Sequence, residues 1–267
     1  MKYLIGILAL CSLAACKNDD NNGSPDQPAI PAPRNITYSI LSTFPHDTGS
    51  YTQGLVFYKG ELYEGTGLEN RSKLLRTDLK TGKALQSLAL PPEIFGEGIT
   101  ILNDTVYQLT YKNNKVFVYT LPGFKKIKEY SVNMEGWGLT NDGKNLILTN
   151  GSGDLYFYDP AGFRLLRTQT VTEAGSPTFN LNELEFINGY VYANQYTYPY
   201  IFKINPETGV IEGKVDLSQL WDRIRQKRPE IHPSDLVPNG IAWDSVAKKM
   251  YITGKLWPEL FEIQLSE

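Results

Sequence analysis

The chain has 267 residues, 41% of them apolar, enough to bury the core of a single all-β domain. Its formal net charge is -3, with 26 Lys and Arg against 29 Asp and Glu. That balance excludes nucleic acid and anionic membrane surfaces as expected charge-driven partners.

At the N-terminus, Met1 and Lys2 lead into an apolar run from Tyr3 to Ala15, the pattern of a secretory leader and too short for a transmembrane span. The run ends Leu13-Ala14-Ala15-Cys16, which resembles the lipobox of bacterial lipoproteins, so residues 1–15 are expected to be removed and Cys16 to carry lipid. With Cys11 inside the leader, Cys16 is then the one cysteine left and no disulfide forms within the chain. Residues 16–34, rich in Asn, Asp, Pro and Ser, read as a flexible tether, and 35–267 as the folded domain. The expected location is outside the cytoplasm, periplasmic or on the cell surface, anchored to a membrane.

A first strand is expected at Asn35–Thr43, followed by one pattern repeated five times. In each repeat a polar or aromatic residue stands nine positions before an aliphatic one: Gln53/Leu62, Glu97/Val106, Trp137/Leu146, Asn182/Val191 and, two residues longer, Asn239/Met250. The aliphatic markers lie 44, 40, 45 and 59 residues apart, a period in the range of propeller blades and solenoids. Between the two members of each pair run short β-branched and aromatic stretches closed by Lys59-Gly60, Asn103-Asp104, Asp142-Gly143 and Asn188-Gly189. Further strands, such as Lys73–Leu79 and Ala84–Leu90, bring most units to four.

The last unit, from Asn239, has room for only three strands. These observations predict an all-β fold, a five-bladed β-propeller closed by the N-terminal strand. The exception is Leu217–Arg228, where Leu220, Trp221 and Ile224 are spaced for one face of a short inserted helix. Closure removes open strand edges, so a monomer is expected.

If each hairpin is reflected about its turn, the residue nine before the marker faces the one five after it. The second set is Gly67, Tyr111, Gly151, Tyr196 and Lys255. With the first strands innermost, both sets gather at one mouth of the channel: an acid, a cation, amides and aromatic walls. Two readings stand on that ring, a ligand pocket and a set of ring-closing residues. Glu97, framed by Phe95, Gly96 and Gly98, is the residue that ring closure explains least.

In order along the chain, Phe44-Pro-His-Asp47, Tyr51-Thr-Gln-Gly-Leu55, Leu62-Tyr-Glu-Gly-Thr-Gly-Leu68, Phe95-Gly-Glu-Gly-Ile-Thr100, Gly136-Trp-Gly-Leu-Thr140, Leu181-Asn-Glu-Leu-Glu185, Asn239-Gly-Ile-Ala242 and Thr253-Gly-Lys-Leu-Trp-Pro258 resemble the plant and bacterial, papaya-type glutaminyl-peptide cyclotransferases. The resemblance implies a five-bladed propeller that converts an N-terminal Gln of peptides or proteins to pyroglutamate with release of ammonia. It implies substrate binding by Tyr51, Phe95, Tyr111, Trp137 and Tyr196, and catalysis by Glu97, Lys255, Asn182 and Gln53. The family typically carries Phe at the position of Tyr51 and Trp at those of Tyr111 and Tyr196, so the aromatic wall is kept with added hydroxyls.

Cyclisation suits those residue types. The α-amine, with an ordinary pKa of roughly 8, must lose a proton while the departing amide nitrogen gains one. One carboxylate beside both nitrogens can carry that proton, the role expected of Glu97. Lys255 with the amides of Gln53 or Asn182 would stabilise the oxyanion or orient the carboxamide. No catalytic metal or cofactor is expected, since the two histidines, His46 and His232, read as loop residues. A structural cation in the channel is compatible with the pattern. Two alternatives use the same ring: a binding propeller for peptide ends, and a metal-dependent propeller lactonase or hydrolase, weakened by Glu97 being the ring's one acid.

Overall fold

The computed structural model describes residues 30–266, so the expected leader, Cys16 and most of the tether lie outside the described residues. The described chain is nearly all-β, with one α-helix and one 3-10 turn. Strand β1 (Arg34–Pro45) comes first. Unit one follows with β2 (Thr52–Tyr58), β3 (Glu61–Thr66), β4 (Lys73–Thr77) and β5 (Ala84–Ala89). Unit two has β6 (Gly96–Leu102), β7 (Thr105–Thr110), β8 (Lys115–Thr120) and β9 (Lys125–Ser131). Unit three has β10 (Leu139–Asn141), β11 (Leu146–Leu148), β12 (Asp154–Asp159) and β13 (Arg164–Thr170), then a small hairpin of β14 (Thr172–Glu173) and β15 (Ser176–Pro177). Unit four has β16 (Leu181–Ile187), β17 (Tyr190–Gln195), β18 (Tyr200–Ile204) and β19 (Ile211–Asp216), and is followed by helix α1 (Ser218–Lys227). Unit five has β20 (Pro238–Asp244), β21 (Lys249–Gly254) and β22 (Glu259–Ser266).

Strand β1 takes the fourth place in unit five, antiparallel to β22 from Thr37↔Ser266 to Pro45↔Glu259. Its first three residues also pair in parallel with β19, Arg34↔Gly213 to Ile36↔Val215, which fuses units four and five into one eight-stranded sheet. The parallel pairing is an addition to the sequence expectation. The first strands of the units pack side by side in the closed order β2, β6, β10, β16, β20 and back to β2.

The first strands of the units are buried along most of their length, β6 throughout, and the core divides into five apolar clusters, one at each junction. Val56 and Leu74 meet Ile99 and Phe117 between units one and two. Leu109 and Val116 meet Leu146 and Leu148 at the next junction, and Ile147 and Phe157 meet Leu184 and Phe202 at the third. Ile201 and Val215 meet Ile252 and Phe261, and Leu55 and Leu62 close the circuit against Tyr251 and Leu260. Each such side chain contributes about 1.5–3 kcal/mol when fully buried, and each needs the neighbouring unit to bury it. The units therefore stabilise one another.

Three of the expected turns have positive φ at both central residues: Lys59 and Gly60 (49° and 83°), Asn103 and Asp104 (50° and 57°), Asn188 and Gly189 (51° and 90°). That is the geometry of tight hairpins whose twist matches their strands. Helix α1 lies where expected, burying Leu220 and Ile224, while Trp221 is only half-buried.

The simple reflection of each hairpin is corrected by β-bulges. In unit one the pairs run Gly54↔Gly65 and then Thr52↔Thr66, leaving Gln53 unpaired. Glu97 with Gly98, Asn182 with Glu183, and Asn239 with Gly240 are left out of their ladders in the same way. In four units the residue five after the marker bonds two positions earlier than the reflection expects, one position because the tight turn is centred half a residue earlier and one because of the bulge: Gly67 N to Tyr51 O, Tyr111 N to Phe95 O, Tyr196 N to Asn180 O and Lys255 N to Val237 O. A bulge turns its extra residue out of the pleat, and here the bulged Gln53, Glu97 and Asn182 reach one common cavity.

The bulges also let first strands come close. A Cβ at Gly138 would stand 1.9 Å from Asn182 O, and one at Gly98 would stand 2.5 Å from Trp137 O.

Candidate active site

All nine residues expected at the channel mouth, Tyr51, Gln53, Phe95, Glu97, Tyr111, Trp137, Asn182, Tyr196 and Lys255, line one cavity of about 230 Å³. Gln53, Glu97 and Asn182 arrive from bulged strand starts, Trp137 from just before β10, and Tyr111, Tyr196 and Lys255 from just beyond second strands. Asn239, the fifth member of the first ring, is buried behind Gln53 and does not line the cavity.

The polar floor is a chain of oriented amides. Asn239 Nδ2 donates to Thr52 O at 2.9 Å and to Gln53 Oε1 at 3.2 Å. This leaves Gln53 Nε2 to donate to Glu97 Oε1 at 3.1 Å. Asn239 thus sets which way the Gln53 amide faces. Trp137 Nε1 and Asn182 Oδ1 are buried polar atoms of the lining with no hydrogen-bond partner.

Burial drives the electrostatics. Desolvation raises the Glu97 carboxyl well above its ordinary range, the Lys255 charge pulls it back, and Glu135 adds to the rise. Desolvation likewise lowers the Lys255 ammonium to about 8, against the opposing pull of Glu97 and Asp235. Lys255 Nζ stands 4.7 Å from the Tyr51 ring centre and 4.9 Å from that of Tyr196, a cation between two aromatic faces. Burial raises the Tyr51 hydroxyl, so it stays protonated.

The walls are aromatic. Trp137 meets Tyr196 edge to face at 5.5 Å, and Phe95 packs against Tyr51 and Tyr111 at 6.4 and 5.8 Å. Gly67 and Gly151, at the positions where other units carry Tyr or Lys, make room for these rings. A Cβ at Gly67 would stand 2.3 Å from Phe95 Cε1, and one at Gly151 2.6 Å from Trp137 Cζ2.

Around this cavity stand residues with supporting contacts. His46 hydrogen-bonds Trp257 O at 2.8 Å and Glu64 Oε1 at 3.1 Å, and Glu64 also accepts from Thr52 Oγ1 at 2.7 Å. That ties the loop before Tyr51 to the loop after Lys255. Glu183 accepts from Leu55 N at 3.1 Å and Ile241 N at 2.8 Å, joining unit four to units one and five. Glu185 accepts from Trp243 N at 2.9 Å and from Thr140 Oγ1 at 3.3 Å, and burial raises it to about 8. Both glutamates brace neighbouring units, and neither lines the cavity.

Two acids beside the site were not singled out from sequence. Glu135, whose charge adds to burial in raising the Tyr111 hydroxyl, and Asp235, in the turn after α1, both act on site residues electrostatically. Glu135 lies two residues before Trp137, and that proximity was the available signal. Asp235 reaches the mouth through the turn Pro233–Asp235 after the inserted helix, which no repeat pattern marks. Among the described residues no group of three or more His, Cys, Asp and Glu is placed to hold a metal ion.

The chain matches the glutamine cyclotransferase family over residues 7–265. A glutaminyl-peptide cyclotransferase of Arabidopsis thaliana is 36% identical over 230 residues, covering 85% of this chain and 71% of the plant protein. The crystal structure of Myxococcus xanthus glutaminyl cyclase superposes with a TM-score of 0.82 at 32% identity, over 88% of this chain and 98% of that one. With the cavity and its nine residues already assembled, these likenesses over most of the folded body carry one conclusion: the chain belongs to the glutamine cyclotransferase family.

Proposed function

We propose that the protein is a glutaminyl-peptide cyclotransferase that closes an N-terminal Gln of peptides or proteins to pyroglutamate, with loss of ammonia. The observation that carries this is the buried Glu97 carboxylate, held by Gln53 and facing Lys255 in an aromatic cavity of about 230 Å³. The fold on this reading is a five-bladed propeller, supported by five four-stranded units whose first strands follow one another in a closed circuit.

The reacting groups are already tethered, so the enzyme's first task is to hold the folded-back conformer, which the rings of Tyr111, Trp137 and Tyr196 do by enclosing it. Glu97 takes a proton from the α-amine, whose nitrogen attacks the side-chain carboxamide carbon. Lys255, charged below about 8, stabilises the oxyanion, and Asn182 orients the carboxamide. Glu97 then returns the proton to the departing nitrogen, the carbon–nitrogen bond breaks, ammonia leaves and the lactam remains. A carboxyl raised by burial is a stronger base than a free one and lies nearer the amine it must deprotonate. Base, acid and oxyanion donor are all supplied by side chains, so the proposal includes no metal in the chemistry. Ammonia release from a Gln-initiated peptide in the presence of a chelator tests it, and a rate no faster than the uncatalysed reaction would overturn it.

Activity should fall as pH rises through about 8, where Lys255 loses its charge. In a Lys255→Arg variant the guanidinium stays charged, so the alkaline limb of the kcat profile should disappear even where the rate is lower. Lys255→Met should cost about a hundredfold in kcat. An alkaline limb unchanged in the arginine variant would assign it to another group.

Localisation is a separate proposal carried by the Leu13–Cys16 motif. Cys16 takes the lipid, and its chains hold the enzyme on a membrane outside the cytoplasm. Expression in a bacterium fed labelled palmitate should label the wild-type chain and leave Cys16→Ser unlabelled, whereas an unlabelled wild type contradicts the anchor.

A further inference from the structure

Phe179 and Tyr198 are the two aromatic side chains that lie exposed among the described residues, at 51% and 39% of their full surface. They touch each other edge to face, with ring centres 5.7 Å apart. Exposed apolar side chains that cluster mark contact surfaces more often than those scattered singly.

The pair is built onto the pocket wall. Phe179 precedes Asn182 by three residues and Tyr198 follows Tyr196 by two. Tyr196 N donates to Asn180 O at 2.8 Å, Gln195 Nε2 to Phe179 O at 3.2 Å and Tyr198 N to Gln195 O at 3.1 Å. Both side chains also border a groove of about 320 Å³ that reaches Glu173, Tyr200 and Lys214. There Lys214 Nζ donates to Glu173 Oε1 at 3.1 Å and stands 3.9 Å from the Tyr200 ring centre, so the charges in the groove are paired and the uncovered surface is the aromatic pair.

A substrate whose first residue fills the cavity must lead its remaining chain out through the mouth, and an extended chain advances about 3.3 Å per residue. Of the wall residues Tyr196 is the one joined to an exposed aromatic pair, through its bond to Asn180 O, so the pair is a surface such a chain can follow within two residues. We propose that Phe179 and Tyr198 form a subsite for the second and third residues of the substrate, and that it favours peptides and proteins with aromatic or large apolar side chains there over free glutamine. This rests on the cyclisation reading, and it adds which N-terminal sequences the enzyme selects.

The test compares three substrates: glutaminamide, Gln-Gly-Ala-amide and Gln-Phe-Ala-amide. The wild type should show the highest kcat/KM on the phenylalanine peptide. Phe179→Ala and Tyr198→Ala should each lower that value about fivefold, the scale of a lost aromatic pairing, and leave glutaminamide unchanged, which also reports an intact fold. Equal kcat/KM on the two peptides, or variants that lose activity alike on all three substrates, would overturn the subsite. If no substrate turns over, the cyclisation reading fails, and calorimetry of the two peptides with the Glu97→Gln protein still decides the subsite. Tighter binding of the phenylalanine peptide, lost on adding Phe179→Ala, supports it; equal binding overturns it.

Discussion

Glu97→Gln should lower kcat for ammonia release by about 10²- to 10⁴-fold, the range that a positioned proton carrier contributes. The substitution keeps the shape of the side chain, and its carbonyl oxygen can still accept from Gln53 Nε2, now at 3.1 Å from Glu97 Oε1. KM should change little, because the aromatic walls that enclose the substrate are untouched. The acid limb of the pH profile should go with the carboxyl, since burial places its titration above the ordinary carboxylate range in the wild type. Initial rates together with a urea midpoint separate chemistry from folding. A fall of less than tenfold in a folded variant would remove Glu97 from the proton-carrying role.

The second large effect falls on stability. Glu183 is fully buried and its two carboxylate oxygens accept the backbone N–H groups of Leu55 and Ile241, one in unit one and one in unit five. Glu183→Leu leaves both donors unpaired in the interior, at about 1–3 kcal/mol each. Removing a buried acid offsets part of that, since desolvation and the neighbouring Glu185 already raise Glu183 well above its ordinary range. A net loss of about 2–4 kcal/mol is expected by urea unfolding. Glu183→Gln, which keeps one acceptor, should lose less. Equal stability of wild type and leucine variant would show that these bonds do not hold the units together.

The repeat carried most of the fold because the aliphatic markers Leu62, Val106, Leu146, Val191 and Met250 each open the second strand of a hairpin, or lie one residue inside it, as the tight turns require. The same spacing found the site, since the residue nine (in the last unit eleven) before the marker lies within two residues of the start of the first strand, and strand beginnings share one end of a ring. The bulges were not legible from alternation, because an extra residue at a strand start leaves the hydrophobic pattern further along unchanged. Their trace was the glycine after the ring residue at three of the four bulges, Gly54, Gly98 and Gly240, absent only where Glu183 crosses between units. The parallel pairing of Arg34–Ile36 with β19 joins segments far apart in sequence and leaves no local pattern. The hairpin of β14 and β15, with two residues per strand, is shorter than any periodicity can mark.

The central claim is that the α-nitrogen attacks the side-chain carboxamide directly at this pocket. A Gln-initiated peptide carrying heavy nitrogen in its side-chain amide, incubated with the enzyme in heavy-oxygen water, tests it by mass spectrometry. All of the heavy nitrogen should leave as ammonia, and the peptide should lose one ammonia while gaining no heavy oxygen. A peptide that has become Glu-initiated and carries one heavy oxygen would show water as the nucleophile and contradict the account.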